Sequence, residues 1–171
     1  MKWIATEEKE NHTIERFDLL DGYSREMVLR YNPVQHSGRL ERNNNHLLFF
    51  IEQTGIWGNK FLLENEYGVE IGRISFENLH DLDGNIHIDK KKIQFRIPLN
   101  PAGDVYFLPN KSLKQSFHCN IQVENHLTGP DKKVSAGQSE KYACFILGLF
   151  WFLFPESIPE ANKSGVSISM R

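Results

Sequence analysis

The stretch Tyr142–Phe154 reads YACFILGLFWFLF and carries no formally charged side chain. Ten of its thirteen residues are large and apolar or aromatic. At helical spacing, Tyr142, Phe145, Leu149, Phe152 and Leu153 follow one stripe, and Leu147, Phe150, Trp151 and Phe154 cover the opposite side. A helix that is apolar all round must be sheathed by protein or by lipid, since neither face tolerates water. Length decides between the two. Thirteen residues rising about 1.5 Å each span roughly 20 Å, whereas a bilayer core is about 30 Å thick and needs about 20 residues. Glu140 and Lys141 bound the run on one side, Pro155 and Glu156 on the other. Burial in protein contributes ~15–30 kcal/mol before entropy, at ~1.5–3 kcal/mol for each large side chain. The run is therefore predicted to be a buried core helix at about 139–154, and no transmembrane span is expected.

Working outward, the sheath is predicted to be β-structure. From residue 13 to 124 short runs with period-two apolar positions alternate with turns. Met27, Leu29 and Tyr31 alternate before Pro33, and HLLFFIEQ at 46–53 is apolar enough for a buried strand. KFLLEN at 60–65 and VEIGRIS at 69–75 flank Glu66-Tyr67-Gly68, a hairpin loop with glycine at the positive-φ site. NIHID at 85–89 and KIQFRI at 92–97 form a second pair, followed by DVYFL at 104–108 and FHCNIQVE at 117–124. Turns every eight to twelve residues suit a barrel or sandwich. The expected fold is mostly β (α+β): a single-domain antiparallel β-barrel over residues 1–171, enclosing one hydrophobic helix near its C-terminal side. Ser135 and Ser139 are alternative N-cap signals for the helix, and Pro155 stops it. Within the last residues, 157–171, GVSISM at 165–170 fits either a final strand or a loose tail.

Composition bounds the function. At 171 residues the chain is long enough for one well-buried domain. A formal net charge of −2 argues against broad nucleic-acid binding, which needs a basic excess. The opening MKWIATEEKENH lacks the apolar core of a signal peptide. Cys119 and Cys144 form no CxxC pair or disulfide framework, so two buried, reduced thiols and a cytoplasmic setting are expected.

Two stretches carry a resemblance. FLLENEYGVEIGRISF at 61–76, followed by GNIHIDKKKIQFRI at 84–97, resembles the repeated strand, acidic-glycine turn and "GxI" strand of the tubby-like superfamily. YACFILGLFWFLFPE at 142–156 is similar to the terminal helix of its scramblase and LURP-one-related members. The resemblance covers about residues 13–156 and implies a twelve-stranded barrel wrapped around a hydrophobic helix. It implies no particular ligand residues. The chain lacks the cysteine- and proline-rich segments of scramblases and matches no calcium-binding segment of theirs, and the spaced cations with which tubby proteins hold phosphoinositides do not align onto it one by one.

Basic residues are the strongest candidates for binding. Lys90, Lys91 and Lys92 sit at a predicted hairpin tip, with Arg96 on the following strand and Arg73 on a nearby one. Such a cluster suits the phosphate oxygens of a lipid head group; it also suits a solvated turn that shields strand edges. Arg39, Arg42 and Asn43–Asn45 read as a polar loop before a strand, of a kind that carries recognition or merely connects. Asp81-x-Asp83-Gly84-Asn85 opens like an EF-hand but has Ile86 and Lys92 where glycine and glutamate are required. The histidines at 12, 36, 46, 80, 87, 118 and 126 form no metal-site spacing. His118 and Cys119 are adjacent on a strand and so point to opposite faces. No catalytic set, metal site or cofactor is expected. The predicted function is a non-enzymatic tubby-like barrel that binds anionic phospholipid head groups or acts as an adaptor at the membrane surface. The alternative is a cytosolic protein-interaction module with no lipid binding, its partner unknown.

Overall fold

The computed structural model describes residues 1–6, 13–56, 58–77, 83–98, 104–122 and 136–158. Eleven strands close into a barrel in chain order: β1 (Lys2–Thr6), β2 (Glu15–Asp21), β3 (Ser24–Asn32), β4 (Ser37–Arg42), β5 (Asn45–Thr54), β6 (Lys60–Asn65), β7 (Glu70–Phe76), β8 (Gly84–Ile88), β9 (Lys91–Arg96), β10 (Asp104–Phe107) and β11 (Phe117–Gln122). Each strand runs antiparallel to the next. An odd number of alternating strands leaves the first and last pointing the same way, so β1 and β11 close the barrel in parallel, with Trp3 opposite Ile121. Closure leaves no unpaired sheet edge among the described strands to seed aggregation.

Inside the barrel, α1 (Ala136–Leu153) is buried on every side from Tyr142 to Trp151. Its opening lies where β3 ends: the Tyr31 hydroxyl donates to Glu140 Oε1 at 2.9 Å, and His36 Nδ1 lies 2.9 Å from Oε2. Its exit lies at the opposite end, where Arg42 Nη1 donates to the Phe152 carbonyl at 3.0 Å and Phe117 packs against Phe152. The helix therefore threads the lumen, and the barrel's inward residues close on it. Phe145 meets Trp3 and Phe17 with ring centroids 5.5 and 4.9 Å apart. Gly148 gives the room this requires: a Cβ there would stand 2.9 Å from Trp3 and 3.2 Å from Leu40. A short 3-10 turn, Pro155–Ser157, follows the helix, with Ser157 and Ile158 buried.

The buried helix and the enclosing barrel agree with the sequence reading. The helix starts at Ala136, nearer the Ser135 signal than the Ser139 one, which falls inside it. The β6–β7 and β8–β9 hairpins form as expected; Gly68 takes a φ of 70°, and Asn65 Oδ1 accepts from the amides of Tyr67 and Val69. The polar loop expected around Arg39 and Arg42 is instead strand β4, and β1 was not anticipated. Inward positions of β4 hold Gly38, Leu40 and Arg42, so only one apolar side chain marks the period. The Phe49 ring fills the space over Gly38, its cross-strand partner. The readings at residues 165–170, at Trp57, at Asp81 and at histidines 12, 80 and 126 fall outside the described residues.

Candidate functional site

Strand alternation decides which cations meet. On β7, β8 and β9 the inward residues Ile74, Ile86, Ile93 and Phe95 are fully buried, which turns Arg73, His87, Lys92 and Arg96 outward. Register then aligns Leu62, Arg73, His87 and Lys92 in one row across four strands. The next row outward holds Lys60, Ser75, Asn85 and Gln94. Apart from Gln94, these rows line a groove of about 690 Å³ on the outer face, with the apolar Leu62 at its β6 side and Lys60, Arg73, His87 and Lys92 along it. Among the described residues no carboxylate lines it. Arg73 is anchored from its flank by Glu70, whose two oxygens accept at 2.7 and 2.8 Å. That bidentate bond holds the Glu70 carboxyl below its ordinary pKa.

The remaining predicted residues go elsewhere. Lys90 is exposed at the β8–β9 turn beside Asp89, which takes a φ of 53°. Lys91 folds over the helix exit: it donates to Ser157 Oγ, lies 3.4 Å from Glu156 Oε1, and stands 5.3 Å above the Phe154 ring. It fastens the hairpin to the end of the core helix. Arg96 lies four residues beyond Lys92, about 13 Å along the strand, and its Nε is 3.2 Å from Asp83. The structure thus brings together Arg73 and Lys92 of the predicted five and adds Lys60 and His87. Their outward alternation was readable; their meeting depends on hairpin register, which charge spacing does not reveal.

A second polar arrangement lies on β10 and β11. His118 Nε2 is 3.0 Å from Asp104 Oδ1, Asn120 Nδ2 donates to the same oxygen at 2.7 Å, and Tyr106 stacks on His118 with centroids 4.8 Å apart. Burial raises the Asp104 pKa, but the bonds from Asn120 and His118 outweigh it and hold the carboxyl below its ordinary range. An aspartate that orients a histidine is half of a base-assisted nucleophile. The neighbouring thiol does not complete it, because Cys119 points into the lumen and burial pushes its pKa up to about 12. Among the described residues no group of three His, Cys, Asp or Glu side chains is placed to hold a metal ion, and no helix is long and apolar enough to cross a membrane.

The protein is thus a closed eleven-stranded barrel filled by its own helix, with a cationic groove on its outer wall. No protein-family model, curated protein or solved structure matches the chain.

Proposed function

We propose that this protein is a non-enzymatic, tubby-like barrel that binds anionic phospholipid head groups at the cytoplasmic membrane surface, through the groove on β6–β9. The observation that carries this reading is the pairing of Lys60, Arg73, Lys92 and His87 around a lining without carboxylates. A lumen filled by α1 removes the usual interior pocket of a barrel, so recognition falls to the outer wall. Lysine and arginine near an anionic surface contribute about 1 kcal/mol each, and salt screens that contribution. Flotation of the full chain with neutral and anionic liposomes, at low and high salt, tests the reading. Salt-released flotation with anionic liposomes alone is expected, and the triple variant Lys60→Ala, Arg73→Ala, Lys92→Ala should abolish it. Equal flotation of the triple variant and the parent would refute the groove as the site.

The protein-interaction alternative draws on a different end. Val34 and Ile56 are 74% and 95% exposed, on turns at the end where the helix enters. A stoichiometric partner released by Ile56→Asp, with no liposome flotation, would favour that reading.

A further inference from the structure

A second cleft, of about 390 Å³, opens where β3 begins, β4 ends and β5 begins. Arg25, Arg39 and Arg42 all line it, together with His46 and the amides of Asn43 and Asn44. Two carboxylates, Glu26 and Glu41, share the lining, but Glu41 is already bridged by Arg30 Nη1 at 2.7 Å and Arg39 Nε at 2.9 Å. Arg25 stands 3.9 Å from Asp18, beyond hydrogen-bonding reach, and is 57% exposed. Asp18 is shared, since Arg16 also pairs with it at 3.2 Å and Arg25 holds only the longer contact. Arg42 is held from behind: one Nη1 bond goes to the Phe152 carbonyl, its Cζ lies 4.4 Å from the Phe152 ring centroid, and its buried Nε has no acceptor among the described residues.

We propose that this cleft is an anion site for a phosphate monoester, separate from the β6–β9 groove. Guanidinium forks match the tetrahedral oxygens of a phosphate dianion in a way that lysine does not. The volume is at the small end for organic ligands, which suits a phosphate on a small polar carrier. Asn43 and Asn44 form a tight turn, with φ of 48° and 66°, that contributes to the lining of the cleft. Because Arg42 spans from this cleft to the last turn of the core helix, occupancy reaches the helix exit directly.

The test is a titration of the ¹⁵N-labelled full chain, followed through the arginine Nε–H signals. Inorganic phosphate and glycerol phosphate are the soluble probes; vesicles containing phosphatidic acid are the lipid-borne probe, with phosphatidylserine vesicles as a diester control. Saturable shifts of the Arg25, Arg39 and Arg42 signals are expected with a monoester and absent with chloride at matched ionic strength. Arg25→Gln and Arg39→Gln should each weaken binding about tenfold, roughly the loss of one charged contact. Saturation by phosphatidic acid vesicles alone would assign the same chemistry to a lipid source. Shifts that never saturate, or titrations unchanged in both arginine variants, would overturn the proposal. Arg25 is exposed and distant from the core, so its variant keeps the test sound if Arg39→Gln disturbs folding.

Discussion

Glu140 is a carboxylate placed inside a barrel, one turn into the helix and just before its aromatic and aliphatic run from Tyr142. Tyr31 and His36 both reach its oxygens, which is the condition for keeping such a group buried. Burial, then the bond to Glu140, raises the Tyr31 pKa far above its ordinary value, so the hydroxyl remains a donor at any physiological pH. Tyr31→Phe should lower stability by ~1.5–3 kcal/mol, the range for a hydrogen bond to a charged group. His36→Ala, at an imidazole that is mostly solvent-exposed, should cost under about 1 kcal/mol. Urea midpoints of the two variants check the ordering. Glu41 gives a pH prediction. Burial raises its pKa, yet Arg30 and Arg39 outweigh that and hold it below the ordinary carboxylate range. Its ionised form is therefore favoured by folding, and that stabilisation is present above the ordinary carboxylate range and lost as pH falls through the lowered value. The stability gap between parent and Glu41→Gln should be open at neutral pH and close in acid. A gap that stays constant across the titration would mean the charge is not its source.

Among the elements, the helix shows how sequence and barrel divide the labour. It has no basic residue in its last turn, where the helix dipole favours a cation. Arg42 of β4 and Lys91 of β9 supply two from outside, at Phe152 and at Glu156–Ser157. Arg42→Ala removes a carbonyl bond and a cation–π contact together, for an expected loss of ~1–3 kcal/mol, read from thermal or urea unfolding. The helix itself was legible because apolar residues on all faces admit few environments. The β6–β7 and β8–β9 hairpins were legible through alternation and turn residues. Strand β4 was not, because glycine and arginine occupy two of its three inward positions and act through partners distant in sequence, Phe49 and Phe152. Strand β1 presents Trp3 as its single fully buried residue, too little for a period. The groove was half legible for a related reason: Arg73 and Lys92 stand out as charges, but only paired registers bring Lys60 and His87 beside them.

At the scale of the whole molecule, closure and filling make one cooperative unit. Cys119 and Cys144 are fully buried, one on the wall and one on the helix, and burial raises both thiol pKa values. Neither should react with a thiol reagent at pH 8 in the folded protein, whereas both cysteines should react in urea, with the same midpoint as the spectroscopic transition. Modification of Cys144 alone in native buffer would mean that the helix leaves the barrel without global unfolding. Replacing Gly148 by valine should cost ~1–3 kcal/mol, since Trp3 and Leu40 leave no room and the surrounding wall cannot part.

The helix comes after all eleven strands in the chain, and this order has a consequence during translation. At about 5–20 residues per second, a few seconds separate the emergence of Ile121 from that of Phe154. Throughout that interval the ribosome carries eleven strands whose lumen-facing Trp3, Phe17, Phe49, Phe61, Phe95 and Phe107 have nothing to enclose. The nascent chain is thus most exposed to aggregation until α1 has emerged to fill the lumen, and those are the seconds in which a chaperone's shelter counts most.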